Sequence, residues 1–176
     1  ETDGDPNIAR GIYINDDSYP TFNITLQNTS ILNTATFALA MRRLGEASVV
    51  TINNSVLSVT NWDGYLHQGA IYRSQFIDGS TVNLDHSIIH SAIGPAYAGG
   101  SDGNIYANYT VFYSSDSIGN PYLGRTVFAQ SDIGSTLTLD HCDIVSPELS
   151  GIDLEEPFGQ SKYLTITTSN IICRGA

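Results

Sequence analysis

Val82-Asn83-Leu84-Asp85-His86-Ser87-Ile88-Ile89 alternates apolar and polar residues, loses that phase at Asp85-His86, and resumes with a small residue and an apolar pair. Alternation with a period of two is the mark of a strand with one buried face. Two consecutive polar residues followed by Ser are turn chemistry. The octapeptide therefore reads as strand, sharp bend, strand. The pattern it shares, apolar-x-apolar-x-x-(Ser/Thr/Cys)-x-apolar, also begins at Ile24, Val50, Ile105, Leu137 and Leu164. The starting positions 24, 50, 82, 105, 137 and 164 are separated by 26, 32, 23, 32 and 27 residues, a mean of 28 over 140. Self-similarity at such a period points to a repeat architecture in which each unit stacks on the next.

The position after the bend is held by Thr29, Ser55, Ser87, Thr110, Cys142 and Ser169, all small. A Gly or Pro precedes each copy by a few residues: Pro20, Gly45, Gly79, Gly103, Gly134 and Gly159. Further upstream lie three more strand-like runs, Phe37–Met41, Ala70–Ser74 and Thr126–Gln130. A full repeat then holds three short strands and three bends. The expected fold is all-β, a right-handed parallel β-helix of about six coils and roughly 30 Å of rise. A β-sandwich is disfavoured: Asp63-Gly64, Asp78-Gly79 and Asp102-Gly103 resemble hairpin turns, but they fall at unlike places in the repeat. The apolar residues Ile24, Leu26, Val50, Ile52, Val82, Leu84, Leu137, Leu139, Leu164 and Ile166 are expected to line one shared core in columns.

Composition excludes several function classes. The chain has 176 residues, 14% of them charged, one Lys (Lys162), six Arg and a formal net charge of −11. Such a surface repels nucleic-acid backbones and anionic lipid heads. No apolar run approaches the ~20 residues a membrane helix needs, so no direct membrane insertion is expected. Lyases of acidic polysaccharides need clustered Arg and Lys to hold uronates, and glycoside hydrolases need paired carboxylates. Neither constellation is visible, so no catalytic residue is assigned. A polysaccharide-acting β-helix enzyme remains the rival reading.

Gly79-Ser80-Thr81-Val82-Asn83-Leu84-Asp85-His86 and Gly134-Ser135-Thr136-Leu137-Thr138-Leu139-Asp140-His141 resemble the repeats of pertactin-like autotransporter passenger domains. Those repeats place a short Ala-rich strand and a Gly turn before a Leu-Thr-Leu-like strand and an Asn-Ser-like bend. The resemblance runs over residues 12–176. It implies export through the periplasm to the surface of a Gram-negative bacterium, with residues 1–20 as a lead-in and 1–176 as one β-helix domain cut from a longer passenger. It also implies an adhesin acting by self-association, in cell aggregation and biofilm, or by binding a host-surface receptor or glycan. A glycan-binding module is a further alternative.

Candidate binding residues are aromatic. Tyr106, Tyr109 and Tyr113 cluster in one repeat, Tyr97 and Tyr122 fall in the adjoining loops, and Trp62 and Tyr65 fall in the insertion of the 50–82 step. Such rings stack on sugars or anchor interfaces, though Tyr is also an ordinary strand residue. Insertions Asn61–Tyr65 and Ser117–Tyr122 are the expected binding loops. Asp85-His86 and Asp140-His141 occupy equivalent bends about 10 Å apart, too far to share one ion, and read as bend residues. Gly99–Asn104 is a single calcium-nonapeptide-like stretch in a motif that works by repetition. No metal or cofactor is expected. Asn-x-Ser/Thr occurs at Asn23, Asn28, Asn53 and Asn108, as chance allows in a chain so rich in Asn, Ser and Thr. The alignment leaves the Cα atoms of Cys142 and Cys173 about 14 Å apart on a straight strand, beyond disulfide reach. A bend after Ile171 would close that gap. The preferred expectation is a buried Cys142 and an accessible Cys173, or one paired only in a longer parent chain.

Overall fold

The computed structural model describes residues 11–15, 21–34, 37–42, 44–45, 47–60, 69–74, 80–99, 103–116, 125–130, 136–146, 150–155 and 163–173. Each repeat contributes three strands. The first holds β1 (Ile12–Asn15), β2 (Asn23–Gln27) and β3 (Ser30–Thr34), and the second β4 (Leu39–Arg42), β5 (Val49–Asn53) and β6 (Val56–Val59). The third holds β7 (Ile71–Ser74), β8 (Thr81–Asp85) and β9 (Ile88–Ile93), and the fourth β10 (Tyr97–Gly99), β11 (Asn104–Asn108) and β12 (Val111–Asp116). The fifth holds β13 (Arg125–Gln130), β14 (Thr136–Asp140) and β15 (Asp143–Ser146), and the sixth β16 (Ser150–Glu155), β17 (Tyr163–Thr167) and β18 (Asn170–Cys173). The described residues contain no helix.

Each strand pairs in parallel with the strand three places before it and the strand three places after it, the edge strands β1, β2, β3, β16, β17 and β18 having one such partner. The outcome is three six-stranded parallel sheets, β1-β4-β7-β10-β13-β16, β2-β5-β8-β11-β14-β17 and β3-β6-β9-β12-β15-β18. This is compatible with a parallel β-helix. Register is continuous through the second sheet, so repeat-equivalent residues form rows, whereas in the third sheet β3 and β6 slip register between Ile31 and Thr34. In the second sheet Ile24, Val50, Val82, Ile105, Leu137 and Leu164 make one row, and Leu26, Ile52, Leu84, Ala107, Leu139 and Ile166 another. Between them runs a polar row of Thr25, Thr51, Asn83, Tyr106, Thr138 and Thr165.

The alternation read from the sequence thus sorts side chains onto two faces. Val50, Ile52, Val82, Leu84 and Leu139 are buried and belong to one hydrophobic cluster that also takes Leu39, Met41 and Ile71 from the first sheet and Leu57, Ile89, Phe112 and Ile144 from the third. A one-residue slip would turn every apolar side chain outward, so the pattern itself fixes register. Two expected core members depart from this. Leu164 and Ile166 keep their places in the rows but are 43% and 40% exposed, because β17 is the last strand of its sheet and is covered on one side only. Three strands of the first sheet, β1, β10 and β16, were not anticipated by the upstream runs in the sequence.

Candidate functional site

The second and third sheets meet at a bend built the same way in every repeat. The first bend residue, Asn28, Asn54, His86, Tyr109, His141 or Thr168, has positive φ of 51°, 47°, 47°, 45°, 50° or 49°. The left-handed region costs a non-glycine residue roughly 1–2 kcal/mol, so six consecutive occurrences require compensation. For the first five it comes from hydrogen bonds between repeats. The N–H of the left-handed residue donates to a carbonyl of the following repeat: Asn28 to Asn53, Asn54 to Asp85, His86 to Asn108, Tyr109 to Asp140 and His141 to Thr167, at 3.0–3.1 Å.

The next residue completes the lock. Ser55, Ser87, Thr110 and Ser169 donate their hydroxyls to the carbonyl two residues back, at 2.7–2.9 Å. Backbone N–H groups of Thr29, Ser55 and Cys142 in turn donate to Ser55 Oγ, Ser87 Oγ and Ser169 Oγ. Cys142 Sγ takes the same role toward the carbonyl of Asp140 at 3.3 Å. This explains why the column is restricted to small residues with a donor. Burial pushes the Cys142 thiol above its ordinary pKa, ahead of any effect of its neighbours. Both cysteines are free, Cys142 buried and Cys173 exposed, and Cys173 stands in register with Ser146 rather than with Cys142.

The outward side of this bend is a continuous strip. The ring of Tyr109 lies between His86 and His141, with centroids at 4.8 and 4.6 Å and both interplanar angles 27°. Asp85, Asn108 and Asp140 run beside the rings in register. Asp85 Oδ1 accepts from Asn108 Nδ2 at 3.1 Å and lies 2.9 Å from His86 Nδ1. Asp140 Oδ1 lies 3.0 Å from His141 Nδ1, yet it is shut off from solvent and receives no directed hydrogen bond. The His86 and His141 side chains are 55% and 40% exposed.

Of the aromatic candidates, Tyr109 belongs to this strip and is 48% exposed. Tyr106 faces outward on β11 and is 43% exposed. Tyr113 is half-buried and stacked on His90 at 5.2 Å. Tyr97 is corrected: it lies in β10, not in a loop, and at 1% exposure is a core side chain. Trp62, Tyr65 and Tyr122, with both insertions Asn61–Tyr65 and Ser117–Tyr122, lie outside the described residues.

Comparison with known protein families, curated proteins and solved structures finds no match to this chain. Its chemistry has to be read from its own geometry. That geometry holds a cluster the sequence did not disclose, Ser58, His90, Tyr113 and Ser115 on the third sheet. The signal was present in the spacing. Ser58 to His90 is 32 residues, the same step as 50 to 82, and His90 to Tyr113 is 23, the same step as 82 to 105.

Proposed function

We propose that the chain is a right-handed parallel β-helix serving as the passenger region of a bacterial surface adhesin, and that it acts by self-association. Support for the solenoid comes from the third-neighbour strand order in all three sheets and from one hydrophobic cluster shared among them. In this reading three strands make one coil, and about six coils make the rod. The resemblance of the repeats to autotransporter passengers supplies the surface location.

The observation that carries the binding role is the strip at the bend. Both faces of the Tyr109 ring are occupied by His86 and His141. A sugar ring therefore finds no free face on Tyr109, and what that ring offers to a partner is its edge. The row of rings reads His, Tyr, His, and the row beside it reads Asp, Asn, Asp. Both read the same in either direction. A second copy laid antiparallel sets Tyr109 opposite Tyr109 and brings each His near an Asp of the partner. This is the self-complementarity a two-fold contact requires, and many such molecules on a cell add avidity.

The test is an aggregation assay on cells displaying the chain, with His86→Ala, Tyr109→Ala and His141→Ala combined. Displaying cells should clump and the triple variant should stay dispersed while the fold is retained. Cells that remain dispersed with the unaltered chain, or a purified chain that binds or cleaves a glycan instead, would overturn the reading.

A further inference from the structure

Ser58 on β6, His90 on β9 and Ser115 on β12 form a hydrogen-bonded line across the outer side of the third sheet. His90 Nδ1 lies 2.9 Å from Ser58 Oγ, and His90 Nε2 lies 2.9 Å from Ser115 Oγ. Ser58 and His90 are direct register partners, as are His90 and Tyr113. Tyr113 stacks on the imidazole at 5.2 Å with planes 17° apart, which fixes the ring in the plane both serines need. Ser58 is buried at 8% exposure, His90 is half-buried and Ser115 is exposed.

We propose that this line is a hydrolytic site in which Ser115 is the nucleophile, His90 its general base and Ser58 the residue that positions the base, and that it acts on activated esters. It stands independently of the adhesin reading. The arrangement has the two contacts that nucleophilic catalysis asks for, nucleophile to base and base to orienting group, both at hydrogen-bond length. With the ring proton on Nδ1, that N–H donates to Ser58 Oγ and leaves the Nε2 lone pair to accept from the Ser115 hydroxyl. Burial lowers the pKa of His90 below its ordinary value, which favours the neutral imidazole with a free lone pair near pH 7.

The chemistry closes without any further reactant but water. Ser115 Oγ bonds to the ester carbonyl carbon as its proton moves to His90 Nε2. The carbon–oxygen bond to the leaving group breaks, and the departing oxygen takes that proton. Water then attacks the acyl-serine, giving a proton to Nε2. Ser115 recovers it as the acid departs, so one ester and one water become one acid and one alcohol. The third member is a neutral hydroxyl. It orients the ring but offers no negative charge to an imidazolium, unlike the carboxylate of a Ser-His-Asp set. That directs the site to esters with good leaving groups, aryl esters above all, rather than amides.

The 176-residue chain would be treated with a fluorophosphonate probe and the adduct located by peptide mapping, in parallel with hydrolysis of p-nitrophenyl acetate. Ser115 should be labelled, Ser115→Ala should abolish the adduct, and His90→Gln should slow labelling and hydrolysis about 100-fold, as loss of a general base does. Ser58→Ala should lower kcat with KM unchanged, and Ser58→Thr should restore it. Circular dichroism confirms that each variant is folded. An unlabelled Ser115, or a rate equal in folded His90→Gln, overturns the proposal, as does hydrolysis that survives in Ser115→Ala.

Discussion

Ser55 gives its backbone N–H to Ser87 Oγ at 3.2 Å while its own hydroxyl holds the carbonyl of Asn53 at 2.7 Å. Both serines are 1% exposed. Ser87→Ala removes the acceptor and leaves a buried N–H without its partner, at an expected cost of about 1–3 kcal/mol. Ser87→Thr should be far milder, since Thr110 makes the same carbonyl contact in the next repeat. Denaturant unfolding of the two variants checks both.

Cys142 does with sulfur what the serines do with oxygen, so Cys142→Ser should change stability by less than about 1 kcal/mol. The thiol is also a pH probe. Its pKa is raised by burial above the ordinary 9.0, so the folded state keeps the proton where the unfolded chain loses it. The stabilisation is complete below pH 9.0 and is lost as pH rises past it. Cys142→Ser should remove that part of the alkaline decline. In native protein a thiol reagent should modify Cys173 at once and Cys142 only on unfolding.

Thr168 is β-branched and sits at φ 49°, a conformation such residues avoid. Asn28 and Asn54 hold the equivalent place, and Asn tolerates it well. Thr168→Asn is therefore expected to stabilise by about 0.5–1 kcal/mol, on the scale of other backbone-compatible replacements, read as a rise in Tm. His86→Val moves in the opposite sense and should lower Tm.

His90 gives a second pH signature. Its pKa is lowered by burial from 6.5, so below that pH the unfolded chain takes up a proton more readily than the folded one. The contribution is present above 6.5 and is lost as pH falls. Stability measured from pH 7 to pH 5 should decline less steeply in His90→Gln than in the unaltered chain.

The second and third sheets were legible because every copy keeps strict alternation, a two-residue bend and a small donor residue, which are local signals. The first sheet was legible only where an apolar run stands out, as in Phe37–Met41 and Thr126–Gln130. In β10 only Ala and Gly follow Tyr97 and β16 opens Ser-Gly, so these strands hold few strand-favouring residues in a row and are held by pairing with neighbouring repeats rather than by their own propensity. The left-handed bends were hidden for a similar reason. Asn at two of them is suggestive, but His, Tyr and Thr fill the others. Ser58, His90 and Ser115 escaped notice because a hydroxyl and an imidazole in outward strand positions look ordinary until register brings them together.

Strand order at every third place has a mechanical consequence. Each strand holds only to the equivalent strand one repeat before and one after, so the sequence distance between partners never exceeds about one repeat, however long the array becomes. Pulled from its ends, such a chain should come apart one repeat at a time, each rupture sparing the rest. Repeats of 23 to 32 residues would release about 80–110 Å of extended chain each. Their unequal lengths would make the force record an ordered signature of which repeat had let go.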